Sequence, residues 1–307
     1  MTAGPTPSGH PAGPTPSGHP AGALGIVHPF PSVLVSLVVA ALAVLAGGTP
    51  LAIATLTIAM FGFQASIGAT NDLADLPRDR LADSRKPLPA GQVTVRMARS
   101  VAVAGGLVGL GLSATIGPMV LLAGAAGYAC GIGYDLWLRT RRLAWLAYSA
   151  AVPLLLAYAW LGASGTLPPA WPLLLPMAAA IGPALHVSNS LIDVDTDATD
   201  PAGGLAGQLG RSRSLAVLTA MLVVVYVLAW AAVGVGPGSL PRSQGVVWPS
   251  ATGGFLAAAG MLVATLLAAV GVGLSASHAR SWRMAGWAVQ AIATALLGVA
   301  WIAAIGS

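Results

Sequence analysis

The chain is poor in the residues that soluble proteins rely on. Cysteine occurs once, at Cys130, which excludes an internal disulfide and any zinc cluster built on cysteine. Glutamate is absent, so all nine carboxylates are aspartates. Charged residues make up 7% of the 307, against about 25% in a soluble domain. So little charge excludes a separate soluble domain and makes the bilayer the solvent for the apolar side chains. Basic residues outnumber acidic ones, 14 to 9, and the pI is near 10. In a soluble protein that balance would suggest nucleic acid. Here no nucleic-acid partner is expected, and basic loops on one membrane face account for the charge.

What the chain has in quantity is apolar sequence: 56% hydrophobic residues and a mean hydropathy of +0.80. A spanning helix needs about 20 mainly apolar residues. Nine stretches qualify: 30–47, 50–71, 95–114, 117–135, 142–162, 169–190, 213–235, 251–274 and 281–304. The first two are divided by Gly47-Gly48-Thr49-Pro50. The expected fold is an all-α membrane protein, a bundle of about nine transmembrane helices around a central cavity. Frequent Gly, Ala and Ser within the spans suit close helix packing in lipid. Pro153 and Pro183 fall inside spans and are expected to kink them.

Ahead of the spans, AGPTPSGHP occurs at 3–11 and again at 12–20. Too few apolar residues offset ordering entropy there, so residues 1–25 read as a disordered tail and 26–307 as the membrane domain. His10 and His19, nine residues apart in a Pro-rich coil, are weak ground for a metal site. No basic segment precedes an apolar stretch, so no cleaved secretory signal is expected.

Charge placement gives an orientation. Basic residues fall in the connections after the second span (Arg78, Arg80, Arg85, Lys86, Arg96, Arg99), the fourth (Arg139, Arg141, Arg142), the sixth (Arg211, Arg213) and the eighth (Arg280, Arg283). Only Arg242 lies in an odd-numbered connection. The positive-inside rule then puts these loops and the N-terminus in the cytoplasm, with a bacterial-type plasma membrane as the expected location. Asp72, Asp75, Asp79, Asp83, Asp135, Asp193, Asp195, Asp197 and Asp200 are all near the same ends. That rule constrains acids far less than bases, so their confinement implies one polar site facing the cytoplasm.

Within that site one pattern occurs twice. Asn71-Asp72-Leu73-Ala74-Asp75-Leu76-Pro77-Arg78-Asp79 has the form Asn-Asp-x-x-Asp-x-x-x-Asp, and Asn189-Ser190-Leu191-Ile192-Asp193-Val194-Asp195-Thr196-Asp197 repeats it in reduced form. Positions four apart on a helix advance by about 400° and about 6 Å, so each Asn-Asp-Asp trio would lie along one stripe. Acidic stripes at the ends of apolar helices need a positive partner. Oxygen ligands at this spacing suit Mg²⁺, which binds through one or two carboxylates plus substrate phosphates. A solvated loop paired with Arg78, Arg80, Arg85 and Lys86 would explain the first copy, but not the second.

The first motif, followed by Arg85-Lys86-Pro87-Leu88-Pro89-Ala90-Gly91, resembles the first signature of the UbiA-type intramembrane prenyltransferase superfamily. The second resembles that family's second aspartate-rich signature, with Leu205-Ala206-Gly207-Gln208-Leu209-Gly210 similar to the segment that follows it. Tyr134-Asp135-Leu136-Trp137-Leu138-Arg139 is similar to the family's Tyr-containing segment after the fourth span. Three features depart from the pattern: Ser190 in the second motif, no basic residue in Pro201-Ala202-Gly203-Gly204, and Arg rather than Lys near position 139.

The resemblance implies an enzyme that moves a prenyl group from an isoprenoid diphosphate to a lipophilic, aromatic or quinone-precursor acceptor, with Mg²⁺ as cofactor. It implies Asn71, Asp72, Asp75, Asp79, Asn189, Asp193 and Asp197 as metal ligands, and Arg78, Lys86 and Arg139 as diphosphate clamps. Asp75, Asp193, Tyr134 and Arg139 are the expected catalytic residues. Tyr134 would face the allylic cation, an aromatic–cation contact worth about 0.5–2 kcal/mol. No obligate protein partner is evident. Two other readings stand beside this one: a terpene cyclase or diphosphate lyase on the same scaffold, and a cation-coupled transporter. Of the remaining polar residues, His186 reads as a packed, hydrogen-bonded helix residue, and His28 and His278 as membrane-interface residues.

Overall fold

The computed structural model describes residues 24–81, 86–168, 171–197, 205–234 and 252–306. The tandem repeat, Asp83, Arg85, Asp200, Pro201-Ala202-Gly203-Gly204 and Arg242 lie outside them. Nine principal helices are present among the described residues: α1 Pro29–Leu45, α2 Pro50–Leu81, α3 Val95–Ile116, α4 Pro118–Gly133, α5 Trp145–Ser164, α6 Trp171–Ser190, α7 Arg211–Gly234, α8 Thr252–Ser275 and α9 Arg280–Gly306. Eight helices are long and apolar enough to cross a membrane, and α1, at 17 residues, is shorter. This is the all-helical membrane bundle that hydropathy predicts.

Local chemistry marks the helix starts. Pro29 and Pro118 occupy the first turns of α1 and α4, where no backbone N–H is needed. Thr49 and Thr94 cap α2 and α3, their hydroxyls accepting from Ala52 N (3.2 Å) and Met97 N (3.1 Å). The helices remain continuous through Pro77, Pro153, Pro176 and Pro183. At 32 residues α2 is about 48 Å long, well beyond a hydrocarbon core of about 30 Å. Its last turns therefore reach past the apolar layer, carrying the first acidic motif with them.

The bundle is apolar outside as well as inside. Val103 and Leu107 on α3, Leu122 on α4, Val223 and Val227 on α7 and Leu266 on α8 are exposed, as a lipid-facing wall requires. Inside, Val39, Leu42, Leu56, Phe63, Tyr158 and Leu297 are among the fully buried side chains. Small residues let backbones approach. A Cβ on Gly62 of α2 would stand 2.8 Å from the Gly105 carbonyl of α3, and one on Gly286 of α9 would stand 2.8 Å from the Gly271 carbonyl of α8. Ser66 ties the same region together, donating to the Ala102 carbonyl and meeting the Tyr128 hydroxyl at 2.8 Å.

Between α1, α5, α6, α7 and α9 lies an apolar cavity of about 190 Å³. Val38, Val152, Leu156, Ile181, Leu185 and Ala291 contribute to its wall. Lining residues on α6 run from Leu174 to Leu185, so the cavity extends about 16 Å along the bundle.

Candidate active site

The chain enters and leaves one end of the bundle repeatedly, and its polar residues converge there. The motif on α2 is helical throughout, so Asn71, Asp75 and Asp79 share a stripe and Asp72 stands beside it. Asp72 and Asp75 are buried. Lys86, in the turn after α2, places its ammonium 3.7 Å from Asp72 Oδ1, 3.5 Å from Asp75 Oδ2 and 2.9 Å from Asp79 Oδ2. The turn is closed by Gly91 at φ 72, a left-handed conformation that glycine adopts without penalty.

The end of α4 supplies the opposite wall. Residues Tyr134–Leu138 form a π-helical turn, closed by Arg139 N–H donating to the Tyr134 carbonyl at 3.0 Å. Single π-turns within α-helices are frequent at functional sites. Asn71 Nδ2 donates to Asp135 Oδ1 at 3.0 Å, and Arg139 Nη2 pairs with Asp75 Oδ1. Both contacts have a sequence separation of 64, one helical turn apart, so α2 and the π-turn run parallel and in register. Arg78 is exposed on the motif helix.

A third wall comes from the segment before α1. His28 Nε2 lies 3.2 Å from Asp72 Oδ1. It holds φ 48 and ψ 70, the only positive φ among the described non-glycine residues. Such a conformation costs of order 1–3 kcal/mol and persists where the surroundings over-determine it. Here Ile26 is fully buried with Ala69, Leu76 and Leu88, and Ser32 Oγ donates to the Val27 carbonyl. Gly68 leaves room for the ring: a Cβ there would be 3.0 Å from His28 Cδ2.

The second motif is organised differently. A helical stripe is the sequence expectation, but α6 ends at Ser190 and gives way to a 3-10 turn at Leu191–Asp193 before Val194–Asp197 resumes as a short helix. The tighter turn changes the rotation between Asn189 and Asp193, so the even stripe of the first motif is not reproduced. Asp193 Oδ1 takes Arg280 Nε at 2.6 Å, and Asp195 Oδ2 takes Arg283 Nη1 at 2.9 Å. Arg283 is buried and also donates to the carbonyls of Ile192 (3.1 Å) and His278 (2.7 Å), fastening α9 to the motif. The Asp197 side chain lies outside what the structure describes.

Between the two motifs stands an aromatic group. Tyr134 packs edge-on against Tyr148, with ring centroids 5.1 Å apart, and both hydroxyls lie near the Asn189 amide. His186 packs edge-on to Tyr134, with centroids 5.6 Å apart, and lies 5.2 Å from the Tyr148 ring. The expectation that His186 is hydrogen-bonded is corrected: it is fully buried, and neither ring nitrogen has a hydrogen-bond partner in the structure. His28 and His278, expected at the membrane interface, have specific polar partners, Asp72 (3.2 Å) and Arg211 (2.7 Å).

Asp135, His28 and Tyr148 thus join the site without having been among the predicted site residues. Asp135 carried a signal, since it is one of nine carboxylates confined to one face. His28 and Tyr148 carried none, because their contacts are made across the fold.

Among the described residues, no three His, Cys or Asp side chains form a ready-made metal cage. That does not conflict with Mg²⁺, which uses few protein carboxylates together with substrate phosphates and water. The donor set fits the ion. Three carboxylates already converge on one cationic centre, the Lys86 ammonium. Asp72 Oδ1 and Asp79 Oδ2 take ion-pair contacts without a well-aligned hydrogen bond, and the buried Asp135 Oδ2 has no hydrogen-bond partner.

Two polar motifs thus stand at one end of a helical membrane bundle that also encloses an apolar cavity. Residues 32–264 match the model of the UbiA prenyltransferase family, and the chain belongs to that family. No curated protein sequence matches it. Among solved structures, it is similar to a UbiA homolog from Archaeoglobus fulgidus bound to GPP and Mg²⁺ (16% identity, TM-score 0.64, covering 88% of this chain and 99% of that one). It is also similar to an apo UbiA homolog from Aeropyrum pernix K1 (20%, 0.63, 90% and 97%). A digeranylgeranylglyceryl phosphate synthase structure aligns at 14% identity and a TM-score of 0.62, over 93% and 98%.

Proposed function

We propose that the chain is a Mg²⁺-dependent prenyltransferase that moves a prenyl group from an isoprenoid diphosphate to a lipophilic acceptor. The observation that carries this reading is the convergence of Asp72, Asp75 and Asp79 on one cationic centre, the Lys86 ammonium, in a bundle that also encloses an apolar cavity. The diphosphate belongs with the cations and the hydrocarbon tail with the cavity. Family membership and the GPP- and Mg²⁺-bound Archaeoglobus homolog support it.

Asn71, Asp72, Asp75 and Asp79 on one side, and Asn189, Asp193 and Asp197 on the other, would hold Mg²⁺ directly or through water. When bound, the ion supplies Lewis-acid stabilisation to the charge that develops on the leaving diphosphate. Lys86, Arg139 and Arg78 are cations within or beside the first motif and would hold the diphosphate oxygens. Arg139 grips Asp75, so its guanidinium is oriented before substrate arrives. The C1–O bond breaks with its electron pair leaving on diphosphate, and Tyr134 presents its ring to the resulting allylic cation. The acceptor's carbon attacks C1 and its proton passes to a base or water. The cavity's apolar wall keeps water from that cation, which it would convert to a prenyl alcohol. The basic residues at this end of the bundle support a cytoplasmic orientation for the site.

The test is diphosphate release by purified protein in lipid, supplied with prenyl diphosphates of several lengths, with and without Mg²⁺ and a panel of aromatic acceptors. Acceptor-dependent release supports transfer. Acceptor-independent release with a hydrocarbon or alcohol product would show a cyclase or lyase. Full Mg²⁺-dependent turnover by Asp75→Ala or Asp193→Ala would refute the assigned site.

A further inference from the structure

Resting on the proposed prenyl transfer, we infer that Arg280 binds the substrate's diphosphate from the side of the second motif, with Asp193 holding it there. Charge is unevenly supplied to the two motifs. Arg78 and Lys86 stand within or just after the first in sequence, and Arg139 reaches it from the π-turn. Asp193, Asp195, Asp197 and Asp200 instead lie in a stretch, 143–210, that contains no Lys or Arg. Cations for the second motif must come from other elements, and α9 brings two, Arg280 and Arg283.

The two arginines are engaged to different degrees. Arg283 is buried, and its guanidinium is taken up by Asp195 and by the carbonyls of Ile192, His278 and Ser277. It fixes backbone. Arg280 is 59% exposed and donates through Nε alone, at 2.6 Å to Oδ1 of an Asp193 that is itself 47% exposed. Among the described residues its two terminal nitrogens have no partner. An exposed pair of this kind adds little to stability, so the fold does not require it. What the pair does is orient a planar fork whose remaining N–H groups can meet two phosphate oxygens at once. Asp193 thus does for Arg280 what Asp75 does for Arg139. Arg280 takes Oδ1 of Asp193, which leaves Oδ2 for Mg²⁺.

Helix geometry puts Arg280 on the face of α9 that the hydrocarbon tail would use. At about 100° per residue, positions 280, 287, 291, 294 and 298 fall within about 40° of one line along the helix. Ala291, Thr294 and Gly298 line the apolar cavity. Trp287 meets Phe30 of α1 edge-on, with ring centroids 5.5 Å apart. Two residues before Phe30, His28 reaches Asp72 of the first motif. The stripe that carries Arg280 is therefore the one turned toward the cavity and the start of α1, and Arg280 is its polar end. A prenyl diphosphate lying along this stripe, tail against Ala291 and Thr294, brings its phosphates to the free edge of the guanidinium.

The test is equilibrium binding to the full chain in lipid nanodiscs, with geranyl diphosphate and inorganic diphosphate as probes in the presence of Mg²⁺, and with Mg²⁺ alone. Arg280→Gln should weaken both diphosphates by about tenfold or more, as for a lost hydrogen bond between charged groups. Mg²⁺ alone should bind no more weakly than to wild type, because the variant removes a cation from beside Asp193. Three results would overturn the inference. One is unchanged affinity for both diphosphates. Another is a loss confined to geranyl diphosphate, which marks a contact with the tail. The third is an equal loss for Mg²⁺ alone, which makes Arg280 a positioning residue for Asp193. Failure of the wild type to bind geranyl diphosphate at all would remove the proposed function, and this inference with it. Arg280→Met, which keeps the apolar stem, makes the same test should Arg280→Gln not fold.

Discussion

Lys86 occupies the position of a counter-ion, and replacing it tests whether that position is the metal's. Its ammonium lies 3.7, 3.5 and 2.9 Å from three carboxylates. At an effective dielectric of about 20 each contact would be worth about 4–6 kcal/mol. The lysine side chain is 36% exposed, however, so water screens it and about 1 kcal/mol per contact is the realistic scale. Lys86→Met should then destabilise the metal-free protein by about 2–3 kcal/mol, because Asp72, Asp75 and Asp79 lose the ammonium they share. Mg²⁺ should reverse the loss. A ligand at about 100 times its Kd adds about 2.7 kcal/mol, and in the variant it no longer competes with an ammonium. The assay is unfolding in nanodiscs with and without Mg²⁺, read as the difference between the two conditions. That difference should be larger for Lys86→Met than for wild type, while transfer activity falls because a diphosphate cation is gone. Equal or smaller Mg²⁺ stabilisation in the variant would refute the idea that the ammonium and the metal share one place.

Other perturbations separate the roles of the neighbouring residues. Asp135→Leu removes the acceptor for Asn71 and should lower kcat/KM by about 10–100-fold, the range for partners that orient ligands; steady-state kinetics check it. His28→Ala should lose about tenfold in kcat/KM, as for a hydrogen bond to a charged group. His28→Asn should retain most activity, since Asn tolerates the left-handed backbone and keeps a donor for Asp72. Equal loss in both His28 variants would assign the defect to the backbone. Gly182→Val should push α6 from α5, destabilise the protein by about 1–3 kcal/mol and impair turnover through Tyr148; denaturant unfolding and kinetics together test it.

The nine apolar stretches correspond closely to the nine helices because span length is set by the bilayer, a constraint written into hydropathy alone. The first motif was equally legible, since its stripe needs only a helix that continues to Leu81. The second motif was not. Nothing in Asn189–Asp197 distinguishes an α-helix from the 3-10 break at Leu191–Asp193, beside which α9 offers Arg280 and Arg283 across about 90 residues of sequence. The Asn71–Asp135 and Asp75–Arg139 contacts cross 64 residues, and the π-turn that permits them has no periodic signature. His28 was read as interfacial because its partner, Asp72, is brought to it only when Ile26 is buried.

The π-turn at Tyr134–Leu138 makes this site sensitive to length where it is tolerant of composition. Its outward residues, Leu136 and Trp137, are exposed, and substitutions there leave both contacts with α2 in place. Deleting one residue is another matter. The span loses about 1.5 Å, which a membrane accommodates easily, but everything beyond the deletion rotates by about 100°. Arg139 would leave Asp75 while Tyr134 stayed beside Tyr148, and the site would lose its common reference. Function in this chain can therefore be lost by a one-residue slip in the helix that spares every side chain of the site.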